Sequence, residues 1–392
     1  MKPLDGMVVV SLEQAVAVPY ATRLLADLGA RVIKIERPGA GDFARDYDTS
    51  CGTVSSYFAW TNVGKESVVV DLKRPEGAAI VADLIARADV VMCNLSPGAA
   101  RRLGLDADSV RAAHPQLVVA ELSSYGEGGP YSERKAFDAL IQSETGLVAT
   151  TGTGPWVARA GFSVADIAAG VQLHAAVLAA LIRRGRTGEG ASLRLTLMEA
   201  LAVWMHQPLL YAHGTGGAPG RHGAHHPTIA PYGPFLCGDE ETVHLAVQND
   251  GQWRRLCDLA ELTKLADDPR FATVAARVAN RDELHAELQP FVTATTAEAL
   301  LTALDAADVP AARTREVAEL TVHPQLAARR RWAEVAVPGG SVPMLRPPVD
   351  ADAWEWTAAP VPELGAHTAE VLAWLDYPPD RVADLRDQGV IE

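Results

Sequence analysis

The chain has 392 residues, a formal net charge of -14, a hydrophobic fraction of 48% and a charged fraction of 21%. That length fits two domains, or one large domain with an insertion, and the composition is that of a globular protein with a sizeable core rather than a disordered chain. The acidic balance argues against a general nucleic-acid binder, which needs a basic face for phosphates, but it leaves room for one anionic ligand held by a few local cations.

The first 130 residues alternate strand and helix. Residues 7–12 form a short β-branched run, 19–28 carry helical spacing, and 31–36 form a second strand. Residues 67–72 give a third strand, Pro75 opens a helix running to Ala88, and residues 89–94 and 117–122 give the fourth and fifth strands. This alternation predicts an α/β fold with a mostly parallel sheet and right-handed crossovers. The turn after the first strand, Ser11 to Pro19, contains no glycine, so it lacks the close-approach turn of a dinucleotide site and argues against a nicotinamide or flavin cofactor. The glycines of Thr151 to Gly154 are not followed by a P-loop lysine and read as a loop.

Further on, Asp166 precedes a helix predicted from Ile167 to Arg183, with cations in its last turn and glycine beyond. A strand at 191–195 and a helix at 197–210 follow. The glycine-rich stretch 213–226 reads as a linker into a smaller α+β domain. There, strands at 232–235 and 242–247 flank a turn at Gly238-Asp239, and helices span 252–259, 281–292 and 297–307. A strand at 332–337 and a helix at 365–375 end the chain.

No run approaches the roughly 18 consecutive apolar residues of a membrane span, and residues 1–6 are too polar to open a secretory signal, so a cytoplasmic location is expected. Cys51, Cys93, Cys237 and Cys257 form no CxxC pair and indicate neither a zinc site nor a disulfide framework. His222, His225 and His226 lie in the glycine-rich loop without a metal-binding spacing, so no metal site is expected.

The most informative residue is Asp138. It follows a glycine-rich loop, Ser123 to Pro130, just beyond the fifth strand, at the sheet edge where open α/β folds collect ligands, and it precedes an apolar helical run. By spacing alone, an aspartate there is a good helix N-cap.

Several separate motifs carry a family resemblance. They are Pro3 to Gly6, Leu25 to Asp42, Val69 to Gly77, Asn94 to Gly98 and Leu364 to Leu372, and in this order they resemble the class III CoA-transferases across nearly the whole chain. That family includes formyl-CoA:oxalate, carnitine and dicarboxylate CoA-transferases and α-methylacyl-CoA racemase. The resemblance implies a large Rossmann-like domain built from both chain ends (1–212 and 326–392), the linker 213–226, a small domain (227–325) and an interlocked homodimer. It also implies that Asp138 is a nucleophile that carries acyl and CoA groups in turn.

Acyl-CoA and a small carboxylic acid would be the substrates, with no tightly bound cofactor, nucleic acid or membrane partner. By correspondence, Val16, Arg37, Lys65, Asn94, Leu95 and Arg102 are the expected CoA contacts. Two positions depart from the family pattern: Glu66 stands where an arginine is common, and Ser123 where formyl-CoA transferase has a lysine. The racemase alternative needs a histidine where this chain has Phe137, which cannot take a proton, although Asp166 resembles that enzyme's second acid/base. A catalytically idle CoA-binding homologue is the other alternative. A glycine-rich segment, 214–223 or 227–233, is expected to close over the site during turnover.

Overall fold

The computed structural model describes residues 1–218 and 220–392; Pro219, inside the predicted linker, lies outside the described residues. The chain divides into two compact units. One comprises Met1–Gly146, Ala160–His206 and Pro324–Glu392, the other Leu147–Arg159 and Gln207–His323.

The first unit is built on six parallel strands. These are β1 (Val8–Leu12), β2 (Arg31–Glu36), β3 (Lys65–Val69), β4 (Val90–Cys93), β5 (Val118–Ser123) and β6 (Ala191–Thr196), ordered β3-β2-β1-β4-β5-β6. The order reverses at β1, which pairs with β2 on one side and β4 on the other, so the loops leaving β1 and β4 flank a crevice at the carboxyl edge.

Alternation along the strands separates two faces. Val10, Leu12, Ile33, Ile35, Val68, Val91 and Val119 pack against Ile80 and Leu84 of α2 (Pro75–Ala86) and against Val371, Leu372 and Leu385 near the chain's end. The opposite face carries Ser11, Lys34 and Ser67 in one register row, all fully buried. Lys34 donates to Asp42 (2.7 Å) and the Ser67 hydroxyl to Glu36 (2.7 Å), while among the described residues the Ser11 hydroxyl has no partner.

Two helices pack closely in this unit, α1 (Ala17–Asp27) and the 24-residue α4 (Val164–Thr187). Their approach depends on Gly170, where a Cβ would lie 2.8 Å from the Ala17 carbonyl oxygen. Helix α4 ends at Gly188 in the left-handed conformation (φ 74°), with Arg184 and Arg186 in its last turn, as the sequence predicts. At its other end it begins at Val164 rather than Ile167, so Asp166 lies inside the first turn instead of preceding the helix. By length and mean hydropathy α4 could cross a membrane, which a count of uninterrupted apolar runs does not register. Its buried stripe, Ala165, Ala168, Ala169, Leu173 and Val177, is core packing in this fold.

The predicted helix 197–210 is two helices, α5 (Leu197–Trp204) and α6 (His206–Thr215). Pro208 lacks an N–H and its ring would clash with the carbonyl of Trp204, so one continuous helix cannot form. Helix α6 also carries regular structure into the start of the predicted linker.

The second unit has a three-stranded antiparallel sheet, with Thr242–Ala246 between Tyr232–Leu236 and Ala311–Arg313. Its core joins Phe235, Val243 and Leu245 to Trp253, Phe271, Leu288 and Leu300. Thr151 to Gly154, predicted as a loop, includes one strand of a small hairpin in which Gly152–Thr153 pairs with Trp156–Val157. Arg221 donates to the carbonyls of Gly154 (2.7 Å) and Ala149 (2.9 Å), and Gly223 N donates to Gly152 O (2.7 Å), tying the loop to this hairpin.

Candidate active site

Asp138 is the first residue of α3 (Asp138–Glu144), and its carboxylate does not cap its own helix: Phe137 holds the N-cap position without a side-chain bond. The carboxylate reaches other partners. Oδ1 accepts from the backbone N–H of Ala165 (2.8 Å), the second residue of α4, and Oδ2 accepts from Nε2 of Gln142 (2.6 Å), one turn along α3. A charge at the amino end of a long helix sits in its favourable field.

Gln142 is fully buried. Its Oε1 accepts from Ala160 N (2.8 Å), and its Nε2 also reaches the Phe162 carbonyl (3.4 Å). The loop that delivers Asp138 is closed by Ser124, whose hydroxyl donates to the Ala136 carbonyl (3.0 Å) and accepts from the Ala136 N–H (3.3 Å). Asp138 is therefore fixed just beyond the carboxyl end of β5.

Asp166 lies one residue past the amide that holds Asp138. Burial, then the charge of Asp138, raises its carboxyl from 3.8 to about 7. Tyr47 is coupled to the same group: burial, followed by the charges of Asp42 and Asp166, pushes its phenol up to about 12. Tyr47 packs between Phe43 (5.7 Å between ring centroids) and Tyr57 (5.4 Å, edge-on), forming a half-exposed aromatic wall.

At the crevice, Asn94 binds the β1 loop at two points. Its Oδ1 accepts from Gln14 N (3.0 Å) and its Nδ2 donates to Gln14 O (2.8 Å). The next residue, Ala15, is held at φ 64°, a conformation that costs an alanine about 1–2 kcal/mol, and its N–H donates to Asp42 Oδ1 (3.1 Å). Val16 follows, buried.

Beneath this loop lies an internal ion network. Lys65 Nζ donates to Glu13 Oε1 (2.6 Å) and to the Pro19 carbonyl (2.9 Å), Lys34 donates to Asp42 (2.7 Å), and Arg45 pairs with Glu36 (2.7 Å). All six charged residues are buried, three of each sign. Burial, with the charge of Lys34, pulls the Lys65 ammonium down to about 7 against the attraction of Glu13. Burial pushes Glu13 up, but the charges of Lys65 and Lys34 win and hold it below its ordinary value.

A cavity of about 400 Å³ lies elsewhere, lined by Lys2, Asp27, Gly64, Trp354 and Trp356 among others. Lys2 precedes β1, Asp27 ends α1 and Gly64 precedes β3, so this cavity belongs to the amino edge of the sheet and not to the edge bearing Asp138.

The model of CoA-transferase family III matches residues 4–368. The chain belongs to that family. An acetyl-CoA:oxalate CoA-transferase from Acetobacter aceti is 36% identical, covering 87% of this chain and 88% of that protein. A succinate–glutarate CoA-transferase from Agrobacterium fabrum is also 36% identical, covering 95% and 96%. The crystal structure of a CaiB/BaiF family protein from Brucella suis superposes with a TM-score of 0.86 at 35% identity, covering 96% of this chain and 100% of that one. The resemblance carried by the ordered motifs is confirmed, and the chain is an acyl-CoA transferase.

In this CoA-transferase the carboxyl edge gathers most of the residues singled out in the sequence. Asp138 follows β5, Val16 follows β1, Arg37 follows β2, and Asn94 and Leu95 follow β4, with Arg102 on the short helix Pro97–Arg102. Arg37 and Arg102 are exposed, and among the described residues neither guanidinium has a partner. Lys65 does not join them: it starts β3, at the amino edge, and its ammonium is spent inside the protein on Glu13.

Among the described residues no cluster of metal ligands occurs. His226 stacks on Tyr232 and His225 packs edge-on against His285. Sequence reasoning missed Gln142, the Ala165 amide and Tyr47. Of these only Gln142 left a signal, its four-residue spacing from Asp138 on a helix.

Proposed function

We propose that this CoA-transferase moves CoA from the thioester of one dicarboxylic acid to another through covalent intermediates on Asp138. The observation that carries this reading is the preset Asp138 carboxylate, each oxygen held by its own donor at the carboxyl edge of the sheet. Attack by one carboxylate oxygen on the thioester carbonyl breaks the C–S bond, giving an aspartyl anhydride and CoA thiolate. The thiolate attacks the Asp138 carbonyl carbon, releasing the donor acid as carboxylate and leaving an aspartyl-CoA thioester. The acceptor carboxylate then expels the thiolate to form a second anhydride. Attack by the thiolate on the acceptor's carbonyl yields the new acyl-CoA and restores Asp138, with no net proton change.

Relatives named for oxalate, succinate and glutarate support the dicarboxylate class. Arg37 and Arg102 are assigned to the CoA phosphates, and Val16, Asn94 and Leu95 to the crevice wall that CoA passes. Lys65 supports the β1 loop from inside. We further assign the enzyme to the cytoplasm as a homodimer. Four free cysteines fit a reducing compartment, and the exposed apolar side chains of Phe137, Leu140 and Phe162 fit a face covered by a second copy.

One observation favours racemisation instead, the Asp166 carboxyl titrating near neutrality. Phe137, however, offers no proton acceptor on the other side. Incubation with succinyl-CoA and hydroxylamine, followed by peptide mass spectrometry, separates the two readings. Transfer requires a hydroxamate on Asp138, whereas racemisation gives α-proton exchange and no adduct. Retention of full transfer activity by Asp138→Ala would refute the proposal.

A further inference from the structure

The geometry points to a division of labour between the two oxygens of Asp138. Oδ2, steered by Gln142, is the attacking nucleophile, and Oδ1, on the Ala165 N–H, is the oxygen that becomes the oxyanion whenever the Asp138 carbonyl is itself attacked. This assignment rests on the covalent reading above and adds two groups to it, a catalytic backbone amide and a positioning side chain.

Two steps of the proposed cycle pass through a tetrahedral centre at Asp138 Cγ: thiolate attack on the anhydride and acceptor attack on the thioester. In each, the oxygen not bonded to the acyl or leaving group takes up a full negative charge, and the useful donor is one fixed where that charge develops. The Ala165 amide meets this requirement. It lies 2.8 Å from Oδ1, it belongs to the first turn of α4, where N–H groups have no intrahelical acceptor, and it carries the positive end of a 24-residue helix. A backbone amide inside a packed helix cannot swing away between steps.

The donor to Oδ2 differs in kind. The Gln142 amide is a side chain whose Oε1 accepts from Ala160 N (2.8 Å) and whose Nε2, besides donating to Oδ2, reaches the Phe162 carbonyl (3.4 Å). It can orient Oδ2 and still keep partners once Oδ2 forms its bond to the acyl carbon and becomes a poor acceptor. In the anhydride, Oδ2 is the bridging atom that departs with the donor acid. An oxygen of the acceptor later replaces it, and the electron pair on Oδ1 returns to the carbonyl each time.

Two variants test the assignment. Incorporating lactic acid at position 165 replaces the amide by an ester and deletes the N–H without changing the side chain. With succinyl-CoA as donor and no acceptor, formation of the aspartyl-CoA adduct, read by mass spectrometry after rapid quench, is expected to slow about 10²–10³-fold with donor affinity unchanged. Gln142→Glu keeps the shape and the acceptor for Ala160 N but can donate to Oδ2 only when protonated. Its kcat is therefore expected to fall with rising pH relative to the wild-type profile, to which Asp166 also contributes.

An ester variant within twofold of wild type, or a Gln142→Glu profile superimposable on the wild-type one, overturns the inference while leaving the covalent cycle standing. Failure of the wild-type protein to form any adduct at Asp138 refutes the covalent reading, and the division of roles falls with it.

Discussion

Replacing Asp166 by asparagine is expected to stabilise the protein at pH 8 relative to pH 5. The Asp166 carboxyl titrates near 7 instead of 3.8 because burial penalises its anion and the neighbouring charge of Asp138 adds to the penalty. A carboxyl with a raised folded pKa binds its proton more tightly in the folded than in the unfolded state. Its contribution to stability is therefore complete below pH 3.8 and is lost as pH rises through about 7. The loss runs progressively from pH 3.8 to about 7, so between pH 5 and pH 8 about two pH units of it are read, roughly 2.7 kcal/mol before screening. Solvent at this partly exposed position screens part of that, and about 2 kcal/mol is the expected size. The assay is urea unfolding of wild type and Asp166→Asn at both pH values, and the readout is the change with pH in the difference between the two proteins. A difference that stays constant within about 0.5 kcal/mol, well under the expected effect, refutes the reasoning. An Asp138→Asn background supplies a second check, since removing that charge lowers the Asp166 pKa and must shrink the effect.

Arg37→Ala and Arg102→Ala are each expected to raise KM for the acyl-CoA about tenfold with kcat little changed, because a charge-assisted phosphate contact is lost. The same variants assayed with the acyl-pantetheine analogue, which lacks the nucleotide, should match wild type; an equal rise in KM there contradicts the phosphate assignment. Lys65→Met leaves the Glu13 carboxylate buried without its 2.6 Å partner and is expected to cost about 3–5 kcal/mol in urea unfolding. Adding Glu13→Leu should recover much of that loss, and a double variant no more stable than Lys65→Met would show that the pair is not coupled.

The predicted strands and helices of the first 130 residues were legible because burial imposes periods of about two and 3.6 residues, which β-branched runs and spaced leucines display directly. The glycine-free turn after β1 and the cations with glycine at the end of α4 were legible for the same local reason. The length of α4 at its amino end was not. Its first turn is held by a carboxylate 27 residues away, and Asp166, read as preceding the helix, lies inside that turn. Lys65 was expected to contact CoA by family correspondence; its partner Glu13 is 52 residues distant, a separation no local pattern displays, and takes up its ammonium inside the protein.

From the sequence alone came the α/β alternation, the family motifs and the importance of Asp138, all properties of residues and their near neighbours. Only the tertiary structure decided which donor each Asp138 oxygen faces, why the Asp166 carboxyl is raised above its ordinary range and where Lys65 spends its charge. Those outcomes depend on the strand order β3-β2-β1-β4-β5-β6 and on the close packing of α1 and α4, which bring together groups whose separation along the chain carries no periodic signal.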